Sequence, residues 1–137
     1  MLVMMDTGPW VALIDRSEGR HEECVQWLRD FRGNIFSSEA VLTEVLYLLN
    51  FSSRARSAAL DFVLSGAIIL VPPSLESLKR VKKLMEKYKD IPMDYADASL
   101  VSIAEDLSIT EVVTFDVKDF SIYRLSSKQP FVILPQN

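Results

Sequence analysis

Short apolar runs alternate with amphipathic stretches along nearly the whole chain. Leu2–Met5 is apolar throughout and runs straight into Asp6, the pattern of a short buried strand. Thr7-Gly8-Pro9 then offers a helix start, with Thr7 as cap and Pro9 in the first turn, where a missing N–H costs nothing. Trp10, Leu13 and Ile14 would face inward, and Gly19 breaks this helix. A second helix over about residues 20–31 carries Cys24, Trp27, Leu28 and Phe31 on one stripe. Asn34–Ser37 is a weaker strand candidate. Ser37 or Ser38 can cap a third helix, whose stripe of Val41, Val45 and Leu48 has Glu44 set among it.

Residues 54–64 read as a fourth helix, with Ala58, Leu60, Phe62 and Val63 available for packing and Gly66 as its stop. Residues 68–71 form a β-branched strand closed by Pro72-Pro73. Ser74 opens a cationic helix with Leu78, Val81, Leu84, Met85 and Tyr88 on its apolar face. Asp94 can cap a further helix through Leu107, with Ala98, Val101, Ala104 and Leu107 inward. Residues 112–115 are a buried strand ending in Asp116, and residues 131–134 are a last strand. Apolar strands alternating with amphipathic helices predict an α/β fold with a mainly parallel sheet covered on both faces. At 137 residues, with 4 glycines, 6 prolines and no linker-like stretch, the expectation is a single domain over residues 1–137.

Composition narrows the chemistry. The one cysteine, Cys24, excludes an internal disulfide and a multi-cysteine zinc site, and reads as a buried helix residue. The N-terminus lacks a basic leader region, and the apolar run from Ala67 to Val71 is far too short to cross a bilayer, so a cytoplasmic protein without membrane attachment is expected. The net charge of −4 is unusual for a nucleic-acid binder, although placement outweighs the total. Lys79, Arg80, Lys82, Lys83, Lys87 and Lys89 cluster on one helix, as either a solvated face or an RNA-tracking surface.

In open parallel sheets ligands gather at the carboxyl ends of the strands. Asp6 and Asp116 each end an apolar run there, while Glu44 and Asp97 lie on early turns of helices entering the same edge. Converging carboxylates repel one another unless a cation neutralises them, and hard oxygen donors suit Mg²⁺ or Mn²⁺. Such a site points to metal-assisted hydrolysis of an anionic substrate. The rivals are thin. His21 is the only histidine, which excludes paired-histidine cleavage, and no Gly-x-Ser-x-Gly turn presents a serine. Neither a Gly-x-Gly-x-x-Gly nor a phosphate-binding Gly-Lys-Ser/Thr loop occurs. An aspartyl-phosphate enzyme could use Asp6, but the residues after it lack the second aspartate such phosphatases commonly use. Asp94 is best explained as a cap, and Asp119 could replace or supplement Asp116.

Val3-Met4-Met5-Asp6-Thr7, the helix segment from Ser38 to Val45, the stretch from Asp94 to Leu100, and that from Val113 to Phe120 resemble the successive motifs of PIN-domain proteins. The likeness is greatest to the VapC-type toxins of toxin–antitoxin pairs and covers nearly the whole chain in order. It implies a three-layer α/β/α sandwich and a Mg²⁺- or Mn²⁺-dependent endoribonuclease acting on RNA. It also implies frequent homodimers and a cognate antitoxin whose tail covers the site. By motif, Asp6, Glu44, Asp97 and Asp116 match the catalytic, metal-holding acids, and Thr7 and Thr114 match small polar residues that orient ligands. The same resemblance would accommodate an RNA-processing nuclease without an antitoxin, or a non-cleaving binding module.

Overall fold

Val3, Met4 and Met5 are fully buried because their strand lies in the middle of the sheet, covered on both faces. The computed structural model describes residues 1–135. Its strands are β1 (Leu2–Met5), β2 (Asn34–Ser37), β3 (Ile68–Leu70), β4 (Glu111–Val113) and β5 (Val132–Leu134). They form one sheet in the order β3-β2-β1-β4-β5, and every pairing is parallel. Seven helices connect them: α1 (Thr7–Ile14), α2 (His21–Asp30), α3 (Glu39–Leu48), α4 (Ser53–Leu64), α5 (Leu75–Lys87), α6 (Tyr95–Leu107) and α7 (Val117–Phe120). Gly33 permits the turn into β2: its φ is +146°, and a Cβ there would sit 2.1 Å from the Met1 carbonyl oxygen.

The chain leaves β1 towards β2 and β3, then returns across the sheet to β4 on the other side of β1. Right-handed crossovers put the helices of the first two connections on one face and those of the return on the other. Accordingly α1 packs on α2, α3 and α4, while α5 packs on α6. The expected α/β sandwich is present, with a wholly parallel sheet. The reversal between β1 and β4 opens a crevice at their carboxyl ends, the place where such sheets bind ligands. No helix among the described residues is long and apolar enough to cross a membrane.

Local details depart from the sequence pattern in several places. Asp6, rather than Thr7, caps α1, its Oδ1 accepting from the Thr7 N–H at 2.8 Å. On α3 the buried seam is Val41, Val45 and Leu49, a strict four-residue spacing, which leaves Leu48 51% exposed. On α4 Ala59 is the buried residue and Leu60 is exposed; on α5 Val81 and Leu84 are buried, but Leu78 and Met85 sit at the exposed margin of that stripe. β4 stops at Val113, so Asp116 stands beyond the strand as the cap of α7. The other caps are as expected: Ser38 on α3, Ser74 with a reciprocal Ser77 capping box on α5, and Asp94 on α6.

Candidate active site

Asp6 is the last polar step out of β1, and its geometry is set from two sides. Its backbone N–H donates to the Val113 carbonyl at 2.9 Å, continuing the β1–β4 ladder by one residue. Its carboxylate accepts from the Thr7 N–H through Oδ1 and from the Thr114 hydroxyl through Oδ2, both at 2.8 Å. Thr114, itself buried, also accepts from the Asp116 N–H at 3.0 Å. One hydroxyl therefore ties the carboxylate after β1 to the backbone of the loop after β4. Next to these, Gly8 lets the Phe115 ring lie against the start of α1, where a Cβ would be 2.7 Å from its Cδ2.

Asp97 enters from the opposite helical layer, in the first turn of α6. Asp94 caps that turn, accepting from the Asp97 N–H at 2.8 Å. Tyr123, fully buried, donates its hydroxyl to Asp97 Oδ2 at 2.9 Å. Oxygens of Asp97, Asp116 and Asp119 lie within 4.8 Å of one another. Asp119 is held there because its N–H donates to Asp116 Oδ1 at 3.1 Å in the short turn of α7. Asp119 thus lies with Asp116 and Asp97, and Asp94 caps α6 beside them.

Glu44 arrives differently from the sequence argument. It is exposed, so burial does not account for it. It is instead on the rim, where Thr7 donates its hydroxyl to Glu44 Oε1 at 3.0 Å. Its charge acts on Asp6. A groove of about 490 Å³ leads from Glu44 and Asp94 past Ser38, Thr43 and Tyr95 towards Pro72 and Pro73.

The electrostatics follow from this crowding. Burial pushes Asp6 up from 3.8 to about 6, against the hydrogen bonds of Thr114 and Thr7, with Glu44 and Asp116 adding repulsion. Burial and then the charge of Asp94 raise Asp97 to about 7, opposed by the Tyr123 hydrogen bond. Asp119 is raised by partial burial and by Asp116. Among the described residues no Lys or Arg forms an ion pair with any of these acids. An all-oxygen donor set that is buried at Asp6, partly buried at Asp97, Asp116 and Asp119, mutually repelling and without an ion-paired Lys or Arg among the described residues fits a hard divalent cation. Elsewhere Cys24 is buried and its thiol is raised to about 11, so it stays protonated, and His21 contacts the Ala12 carbonyl at 2.6 Å in a packing role.

Tyr123 and Asp119 were the residues that pattern reasoning undervalued. Asp119 had a visible signal, its spacing from Asp116 at a helix start. Tyr123 had none, because only the tertiary fold brings it to Asp97.

Comparison with known proteins identifies the family and the fold. A family model for the PIN domain matches residues 3–125. Ribonuclease VapC26 of Mycobacterium tuberculosis is 24% identical over 135 residues, spanning 97% of this chain and 100% of that protein. The crystal structure of Mycobacterium tuberculosis VapC20, a sarcin–ricin loop cleaving toxin, superposes with a TM-score of 0.82 at 22% identity, covering 93% of this chain and 99% of that one. VapBC2 from Rickettsia felis, bound to a promoter DNA fragment, gives a TM-score of 0.69 at 19% identity over 98% of this chain and 100% of that one. The chain belongs to the PIN domain family.

Proposed function

We propose that this chain is a Mg²⁺- or Mn²⁺-dependent endoribonuclease, the toxin of a toxin–antitoxin pair, working as one catalytic unit in the cytoplasm. The observation that carries the reading is the meeting of Asp97, Asp116 and Asp119 beside the β1–β4 crevice, near enough to Asp6 for their charges to act on one another, with no cationic side chain ion-paired to them among the described residues. Asp97, Asp116 and Asp119 would hold the ion together with Asp6. A divalent ion held by these residues would supply a more acidic water and charge to offset the phosphate. Thr114 keeps Asp6 turned towards the cluster, and Asp94 and Tyr123 fix Asp97. Thr7 engages Glu44 Oε1, leaving Oε2 to accept a hydrogen bond from the attacking water. Water attack on phosphorus would break the P–O bond to the leaving ribose oxygen.

The names of the relatives, a ribonuclease and a sarcin–ricin loop cleaving toxin, support RNA as the substrate class. An antitoxin and a second copy of the chain would need apolar surface, and α3 and α4 expose it at Tyr47, Leu48, Leu60 and Leu64, with Phe51 between them. In the test, purified protein is incubated with RNA and Mg²⁺ or Mn²⁺. Asp6→Asn and Asp97→Asn should each lower cleavage at least roughly 100-fold, and excess EDTA should abolish it. Full activity of either folded variant, or cleavage persisting in EDTA, would sink the mechanism. Growth arrest by this chain, relieved by its genomic neighbour and absent in Asp6→Asn, tests the toxin assignment.

A further inference from the structure

A site made of carboxylates on a chain of net charge −4 leaves open what grips an anionic strand beside the cut. We propose that Arg20 is a phosphate-contacting residue for the substrate strand, held at the rim of the acidic site by stacking on Phe115. This inference rests on the RNA-cleaving reading above and adds a substrate contact to it.

Phe115 stands between Thr114, whose hydroxyl holds Asp6, and Asp116 itself. Its ring is confined on one side by the Gly8 backbone, which follows Thr7, the partner of Glu44. The Arg20 guanidinium carbon lies 4.0 Å from the centroid of that ring. The ring therefore stands between a segment carrying site residues, at Gly8, and Arg20 at the start of α2, whose guanidinium is fixed relative to it. A second contact sets its rotation: Nε donates to Glu23 Oε1 at 2.6 Å. Among the described residues, neither terminal nitrogen of Arg20 has a protein acceptor, and the side chain is 35% exposed. Its carboxylate partner is Glu23, none of the site acids, so the acidic cluster does not quench it.

An arginine stacked on a ring and pinned through Nε, with two free –NH₂ groups, is pre-organised for forked contact with phosphate oxygens. The alternatives are weaker. On α5, Arg80 commits Nε and a terminal nitrogen to Glu105, and Lys79 and Lys82 are paired through their single ammonium to Glu76 and Glu86, whereas the pairing of Arg20 with Glu23 uses Nε alone. Lys118 is exposed on α7 beside Asp119, but among the described residues no ring or hydrogen bond orients it. Arg20 is thus the rim cation whose geometry is already settled before substrate arrives.

The test measures a labelled single-stranded RNA oligonucleotide by fluorescence anisotropy across a salt series, with Asp97→Asn as a cleavage-silent background. Arg20→Gln should weaken binding roughly five- to tenfold and flatten the slope of log affinity against log salt by about 0.7, the signature of one lost phosphate contact on a single strand. Arg20→Lys should keep the slope and lose part of the affinity, because it retains charge without the fork. In the cleaving protein, Arg20→Gln should raise KM with little change in kcat, which a purely structural stack would not produce. If the background protein binds RNA while Arg20→Gln leaves affinity and slope unchanged, the inference is overturned and the nuclease reading stands. If the unsubstituted protein neither binds nor cleaves RNA, the nuclease reading falls and takes the inference with it.

Discussion

Asp97 is pulled in two directions at its own carboxylate. Burial and the charge of Asp94 favour its protonated form, while the Tyr123 hydroxyl, donating at 2.9 Å, favours the ionised one that a cation needs. Tyr123 is itself raised well above its ordinary value by burial and by Asp97, so it remains a neutral donor across the working range. Tyr123→Phe should therefore weaken Mn²⁺ binding at pH 7 by about tenfold. The deficit should shrink at pH 9, where Asp97 is ionised regardless. Calorimetric titration at several pH values checks this, and equal affinities throughout would show that the hydrogen bond positions nothing. At this scale the sequence shows the acids but not their partners. Asp6 and Thr114 are 108 residues apart in the chain, and nothing local to either announces the 2.8 Å bond between them.

Helix α6 carries Asp97 at one end and is clamped near the other. Arg80 on α5 grips Glu105 through Nε and a terminal nitrogen, at 2.6 and 2.8 Å, with the Glu105 side chain only 9% exposed. Removing the arginine leaves a mostly buried carboxylate without its partner. Arg80→Ala should then cost about 2 kcal/mol, discounted for the partial exposure of Arg80. Urea denaturation reads the loss, and metal affinity should change less than about twofold because Asp97 sits about two turns away. A variant as stable as the parent would mean that α5 and α6 are held by apolar contact alone. Elements themselves were largely legible, since periodicity and caps are local signals: Ser38, Ser74 and Asp94 cap as their spacing suggests. Their margins were not. Leu48 and Leu49 differ in burial through the direction from which α1 and α4 approach α3, which no property of the two leucines encodes.

For the whole molecule the raised carboxylates make stability depend on pH and on cations. Asp6 and Asp97 bind protons more tightly in the folded chain, at about 6 and about 7 against an ordinary 3.8. Their contribution is complete below the unfolded value and is lost as pH rises through the folded values. Glu105, held low chiefly by Arg80 against the opposing effect of burial, has the opposite sign and matters only as pH falls through and below its ordinary 4.5. The metal-free protein should therefore lose stability between about pH 5 and pH 8, on the order of 2 to 4 kcal/mol. Mg²⁺ or Mn²⁺ should restore it, raising the melting temperature strongly at pH 8 and hardly at pH 5. Thermal unfolding with and without the ion at both pH values decides. A pH-independent response would mean that the carboxylates do not form the binding site.

The alternation of strands and helices, the α/β class and the order of Asp6, Glu44, Asp97 and Asp116 along the chain were settled by sequence alone. Side-chain period and capping chemistry act over a few residues and leave a readable trace. What the tertiary structure decided is which of those acids share a space. The reversal of strand order at β1 places Asp6 beside the loop after β4, and packing of α6 on the far face brings Asp97 to Asp116 and Asp119. It also set Asp94 aside as a cap, left Glu44 exposed rather than buried, and delivered Tyr123 to Asp97 and Arg20 to the Phe115 ring. Those placements depend on how sheet and helices cross, a property summed over many distant contacts and carried by no single stretch of chain.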